Sequence, residues 1–131
     1  MPVVWIVDDD DEMSHAVKLM LQLLECSVII FRDARSVARQ LLSGERPELM
    51  VLDINMPEVS GIDLLEFLRM RGDLRSIPVV MLSSETTDRQ VDEAMGLGAD
   101  AFVFKPVTIE ELEGAIQRAF AAHHKDFPPV S

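Results

Sequence analysis

The sequence predicts one doubly wound α/β domain. Three features predict it: short apolar runs alternate with longer stretches of helical period, the runs lack polar alternation, and 131 residues suit one full hydrophobic core. Residues 3–7 (VVWIV) read as a buried strand. Met13, Val17, Met20, Leu21 and Leu24 then recur at helical spacing. Residues 28–31 read as a second strand. Ala34, Val37, Ala38, Leu41 and Leu42 form the next helical stripe, with Asp33 as N-cap and Gly44 as stop. Residues 49–52 make a third strand, and Leu64, Leu65 and Leu68 mark a helix ending near Gly72. Residues 79–82 make a fourth strand, followed by a shorter helix through Val91, Ala94 and Met95 that ends at Gly96 or Gly98. Residues 102–104 make the fifth strand. Ile109, Leu112, Ile116, Ala119 and Phe120 lie on the last helix.

Strands that alternate with helices imply a parallel sheet with right-handed crossovers, and continuous apolar strands imply cover on both faces. Ligands of such sheets sit beyond the carboxyl ends of the strands. Helical period ends near residue 122. The domain is therefore expected over 1–122, with 123–131 as a tail or linker stub containing Pro128 and Pro129. His123 and His124 read as a solvated helix end.

Bulk composition narrows the function. The net charge of −11 argues against direct nucleic-acid binding and against an anionic membrane surface, both of which favour a basic face. No apolar run approaches the roughly 20 residues needed to span a bilayer, so no membrane insertion is expected. No secretory leader pattern is visible, and the expected location is the cytoplasm. Cys26 is the one cysteine, which excludes an internal disulfide and a cysteine metal cluster.

The chemistry-bearing residues stand where the strands end. Asp8, Asp9, Asp10, Asp11 and Glu12 follow the first strand, Asp53 the third, Ser83 and Ser84 the fourth, and Lys105 with Pro106 the fifth. Two unit charges ~4 Å apart repel by roughly 4 kcal/mol at an effective dielectric of about 20. Asp8, Asp9 and Asp53 therefore call for a proton or a cation. Hard carboxylate oxygens favour Mg²⁺, which keeps waters and also binds phosphate oxygens. A carboxylate can attack phosphorus to give an aspartyl phosphate, with a metal neutralising the developing charge. Ser83 and Lys105 would then each take a phosphoryl oxygen. Each residue alone has an ordinary reading: Asp10 or Asp11 as a helix cap, Asp53 as a turn residue, Ser83 as a polar strand end, Lys105 as a surface lysine. Their shared placement argues for one site.

Four segments, taken in order, resemble the bacterial response-regulator receiver domain, chemotaxis receivers included. They are Val4-Trp5-Ile6-Val7-Asp8-Asp9-Asp10; Leu52-Asp53-Ile54-Asn55-Met56-Pro57 with Ser60-Gly61; Pro78-Val79-Val80-Met81-Leu82-Ser83-Ser84; and Gly98-Ala99-Asp100-Ala101-Phe102-Val103-Phe104-Lys105-Pro106. The resemblance covers residues 3 to 122. It implies a flavodoxin-like fold of strand order 2-1-3-4-5 and an Mg²⁺- or Mn²⁺-dependent transfer of a phosphoryl group to Asp53. Asp9, Asp53 and the main-chain carbonyl of Asn55 would ligate the metal, and Asp8 would support it. Lys105 and Ser83 would hold the phosphoryl group, Phe102 would be the aromatic switch, and Pro106 would follow a cis bond. Asp10, Asn55 and Glu85 would tune the lifetime of the phosphoryl group. The implied activity is catalysis of its own phosphorylation and dephosphorylation rather than metabolism. The implied partners are a histidine kinase or histidine phosphotransfer protein upstream and an unidentified protein downstream, with a phosphorylation-dependent dimer allowed.

The chain departs from the family pattern in places. Ser83 replaces the commoner threonine, Val107 stands where phenylalanine is common, and Ala115 stands about where many DNA-binding regulators carry a basic dimer-face residue. A haloacid-dehalogenase-type phosphatase is the enzyme rival, since Asp8-Asp9-Asp10 contains its Asp-x-Asp pattern. That reading leaves Asp53 without a role. It also needs an acidic pair at a strand end after the lysine, and Glu110 and Glu111 fall inside the last helix. A receiver-like module that is never phosphorylated would usually lack an acid, the hydroxyl or the lysine, and this chain has all three.

Overall fold

A computed structural model of the chain describes residues 1–56, 58–84 and 88–128. The order is β1 (Val3–Val7), α1 (Asp11–Leu23), β2 (Ser27–Phe31), α2 (Ala34–Leu42), β3 (Leu49–Asp53), α3 (Gly61–Met70), β4 (Val79–Ser83), α4 (Asp88–Gly96), β5 (Ala101–Phe104) and α5 (Ile109–Ala122). The five strands form one parallel sheet in the order β2-β1-β3-β4-β5. The sequence-predicted elements are all present, and the strand order is the expected one.

The two-residue period of a strand divides the apolar runs between two cores. Trp5, Val7, Met50, Leu52, Val79 and Met81 face Ala34, Val37 and Leu41 of α2, Leu64, Leu65 and Leu68 of α3, and Ala94 of α4. Val4, Ile6, Leu49, Val51, Val80 and Leu82 face Val17 and Leu21 of α1 and Leu112, Ala115, Ile116, Ala119 and Phe120 of α5. This explains why β1, β3 and β4 carry no polar alternation. The edge strands deviate from full cover. Ile29 in β2 is 47 % exposed, because an edge strand has a neighbour on one side only.

Local chemistry fixes where the helices begin. Asp10 accepts the Met13 N–H at 3.2 Å, Asp33 accepts that of Ser36 at 2.8 Å, and Thr108 accepts that of Glu111 at 3.2 Å. These bonds to the Asp33 carboxylate hold its pKa below the ordinary value. Ser60 and Asp63 exchange side-chain and backbone bonds in a capping box at the start of α3. The sequence-predicted cap at Asp33 and the stop at Gly44, which has φ 102°, are both observed.

Opposite the carboxyl ends of the strands, Asp100 Oδ2 accepts from Arg69 Nη2 (3.0 Å) and the Val79 backbone N–H (2.8 Å), and His123 Nε2 lies 2.9 Å away. His123 is therefore not the solvated helix end read from sequence. The tail continues this docking, with Phe127 edge-on to Phe120 at 5.4 Å. Pro129 lies outside the described residues.

Candidate functional site

The parallel register brings the strand ends to one edge. Asp8 leaves β1 with its N–H bonded to the Phe31 carbonyl (3.0 Å), and Asp53 ends β3 opposite Leu82 of β4. Ser83 ends β4, fully buried, and its carbonyl accepts the Lys105 N–H at 2.8 Å. The sequence-predicted residues Asp8, Asp9, Asp53, Ser83 and Lys105 thus come together from four strands. The Lys105–Pro106 bond is cis.

The carboxylates are deeply placed. Asp8 is 1 % exposed and Asp53 4 %, whereas Asp9 is exposed. One oxygen from each of Asp8, Asp9 and Asp53 lies within 4.8 Å of the others. The Lys105 ammonium reaches Asp53 Oδ1 at 3.3 Å and Asp8 Oδ2 at 3.7 Å. Asp8 Oδ1 accepts the Asp10 N–H at 2.9 Å, and Asp53 Oδ1 accepts that of Asn55 at 3.4 Å. Asp8 Oδ2 is buried and has no hydrogen-bond partner among the described residues. Burial pushes the Asp8 pKa up to about 6; the Asp10 N–H and Lys105 act against the rise, and the nearby Asp53 adds to it. One lysine does not balance three acids. An orphaned buried oxygen and a close trio of hard donors fit a divalent cation bound by oxygen.

Gly61 is a positioning residue that motif matching alone leaves unexplained. A β-carbon there would overlap the Asp53 carbonyl oxygen, so only glycine lets the start of α3 lie against the end of β3. The Gly61 N–H is bonded to the Ile54 carbonyl at 3.0 Å. Asp10 caps α1, which makes its ordinary reading true, while its own N–H serves Asp8. Phe102 is half-buried, with its ring 5.1 Å from that of Phe104. Glu85 and Pro57 lie outside the described residues. Ala115 faces the core, fully buried, so that position offers no surface charge. Glu110 and Glu111 stand in the first turn of α5 and not at a strand end, which removes the acidic pair that the phosphatase reading needs.

The sequence matches the family description "Response regulator receiver domain" over residues 4–117. The chain belongs to the response-regulator receiver family. It is 32 % identical over 117 residues to the chemotaxis protein CheY of Pseudomonas aeruginosa, covering 89 % of this chain and 94 % of that protein. Among solved structures, the receiver domain of a signal-transduction histidine kinase from Syntrophus aciditrophicus superposes with TM-score 0.82 at 30 % identity, covering 93 % of this chain and 92 % of that one. The Mn²⁺-bound form of the response regulator Rcp1 superposes with TM-score 0.75 at 26 % identity, covering 86 % of each chain. As a receiver, the chain carries its acidic cluster at the edge where a phosphoacceptor and Mg²⁺ site is expected. Among the described residues, no helix is long and apolar enough to cross a membrane.

Proposed function

We propose that Asp53 accepts the phosphoryl group and that the chain works as a two-component switch. The observation that carries this reading is the Asp53 carboxylate, 4 % exposed, held 3.3 Å from Lys105 Nζ and grouped with Asp8 and Asp9. An Asp53 oxygen attacks phosphorus in line. The bond from phosphorus to the donor nitrogen of a phosphohistidine, or to the donor oxygen of an acyl phosphate, breaks as the new P–O bond forms. The leaving imidazole or carboxylate takes the electron pair. Asp9, Asp53 and the Asn55 carbonyl would hold Mg²⁺ or Mn²⁺ with support from Asp8, and such a cation offsets charge on the transferring oxygens. Lys105 moves from the carboxylates to a phosphoryl oxygen, and Ser83 donates to another.

The phosphoryl group adds about −1.5 to −2 charges. Two hydrogen bonds to it, at roughly 1.5–3 kcal/mol each, supply about 3–6 kcal/mol. Reversing a 1:99 population needs about 5.5 kcal/mol, so the two contacts suffice at the top of their range and otherwise give a partial shift. In this reading Phe102 turns inward, and the face made by α4, β5 and α5 meets the downstream partner. In this reading Asp10, Asn55 and Glu85 set the lifetime of the phosphoryl group. The upstream partner is a histidine kinase or histidine phosphotransfer protein, and the setting is cytoplasmic. Residues 1–122 are the switching unit, and 123–131 are the tail.

The test is mass spectrometry after incubation with acetyl phosphate and Mg²⁺. One phosphoryl group should be gained by the wild type and none by Asp53→Asn. Labelling that survives Asp53→Asn and disappears in Asp8→Asn would move the nucleophile to Asp8 and overturn the reading.

A further inference from the structure

A second charged site adjoins the first and is unused by phosphoryl transfer. In a chain of net charge −11 with 12 Lys and Arg, three arginines crowd into eight residues: Arg32, Arg35 and Arg39. Arg32 lies in the β2–α2 loop, and Arg35 and Arg39 are four apart on one face of α2. Together with Asp9, Asp33 and Glu58 they line a cleft of about 540 Å³. Its named walls are all charged, unlike the apolar lining of most organic-ligand pockets, so a highly polar occupant is required.

The acids of this cleft are already engaged. The Asp33 carboxylate caps α2 through the Ser36 N–H at 2.8 Å. Asp9 turns an oxygen towards Asp8 and Asp53. Glu58 lies 3.6 Å from Arg35, and Asp11 3.4 Å from Arg32, in pairs whose side chains are all 67–73 % exposed. Exposed pairs of this kind contribute only about 0–1 kcal/mol, so a ligand can displace them at little cost. The Arg39 guanidinium makes no close ion pair or side-chain hydrogen bond among the described residues, though its charge helps to lower the Asp33 pKa. Three arginines lining one cavity suit oxygen anions, which a guanidinium binds in bidentate fashion. The volume exceeds that of a single phosphate and fits a larger oxyanion with bridging waters at ~30 Å³ each.

We propose that the cleft walled by Arg32, Arg35 and Arg39 is an effector site for a compact multivalent oxyanion, phosphate- or carboxylate-bearing, seated beside Asp9. The ligand bridges α2 and the loop after β1, two elements in reach of the carboxylate cluster. The test uses the full chain without divalent metal, titrated separately with inorganic pyrophosphate and with citrate at physiological ionic strength. Binding is followed by calorimetry and by the arginine Nε–H NMR signals. Saturable shifts at Arg32, Arg35 and Arg39 are expected, with affinity falling at least about tenfold in Arg35→Gln/Arg39→Gln. Preference for pyrophosphate or for citrate assigns the phosphate or the carboxylate source. Unchanged affinity in the double variant, binding that leaves the signals of all three arginines unmoved, or no saturation with either anion would overturn the proposal. Binding of a poly-glutamate peptide where neither small anion binds would also overturn it in favour of a protein-facing surface. No phosphoryl is transferred in this titration, so its failure is separate from any failure of the Asp53 assignment.

Discussion

Replacing Asp8 with asparagine should stabilise the metal-free protein at neutral pH. Asp8 is 1 % exposed, and burial raises its pKa from 3.8 to about 6. Well below pH 3.8 the carboxyl is protonated in both the folded and unfolded states, and nothing is lost. Between about pH 4 and 6 the unfolded chain ionises first, so the folded state binds more protons and stability falls as pH rises. Above pH 6 the loss is complete, at about 3 kcal/mol, since one pKa unit corresponds to about 1.36 kcal/mol. Asparagine keeps an oxygen for the Asp10 N–H, bonded at 2.9 Å, and removes the charge. Its amide NH₂ would face the Lys105 ammonium, which recovers part of the penalty. A net gain of about 1–3 kcal/mol is expected at pH 7.5, or roughly 3–10 °C in melting temperature for a domain of this size. At pH 4.5 the carboxylate penalty is only about 1 kcal/mol, so the gain should shrink accordingly. Thermal melts of both proteins at the two pH values measure this, with and without Mg²⁺. The cation should raise the melting temperature of the wild type at pH 7.5 by more than that of Asp8→Asn, which keeps Asp9 and Asp53. An Asp8→Asn protein less stable than wild type at pH 7.5, or a difference independent of pH, would refute the claim that Asp8 is held against its own burial.

Two further perturbations test the supports of the site. Gly61→Ala sets a β-carbon against the Asp53 carbonyl, where backbone cannot yield easily; urea denaturation should register a loss of about 2–3 kcal/mol, with slower labelling by acetyl phosphate. Wild-type stability in that variant would mean that α3 is free to move away from β3. Asp100→Asn weakens the anchor of Arg69, Val79 and His123, where the Arg69 and His123 side chains are 14 % and 17 % exposed, and should cost about 2–4 kcal/mol because a largely buried guanidinium loses its carboxylate. A loss near zero would show that water or the tail replaces the pair.

The fold was legible because strand and helix periods differ, and because the central strands are apolar on both faces. The sheet edges were not, since burial at Ile29 depends on which strand has a single neighbour, and that is a tertiary fact. Asp8, Asp9, Asp53, Ser83 and Lys105 were legible as a group because parallel strands carry their carboxyl ends to one edge. Their separate environments were not: nothing in the run Asp8–Asp9–Asp10 tells that the first is buried, the second faces a cleft and the third caps a helix. His123 was misread for a related reason. Its partner Asp100 is 23 residues away, and only the return of α5 along β5 brings them to 2.9 Å.

The two ends of the sheet differ in how well their charges are met, and that difference supports the proposed switch. At the amino end of β4, the Asp100 carboxylate is matched by Arg69, whose guanidinium also donates to the carbonyls of Arg75, Ile77 and Gly98 at 2.8–3.0 Å. Adding or removing a cation there would only break satisfied bonds. At the carboxyl end, three carboxylates cluster, Lys105 reaches only Asp8 and Asp53, and Asp8 Oδ2 has no hydrogen bond among the described residues. A group that brings positive charge, or that draws Lys105 away, meets an unsatisfied arrangement and can change its free energy by several kcal/mol. Strands β3, β4 and β5 join both ends in one register, so in the proposed reading the satisfied end is the fixed point against which Ser83 and Lys105 would move. A bistable response therefore belongs at the end where the resting state is strained by charge, and the arginine-lined cleft beside Asp9 lies at that same end.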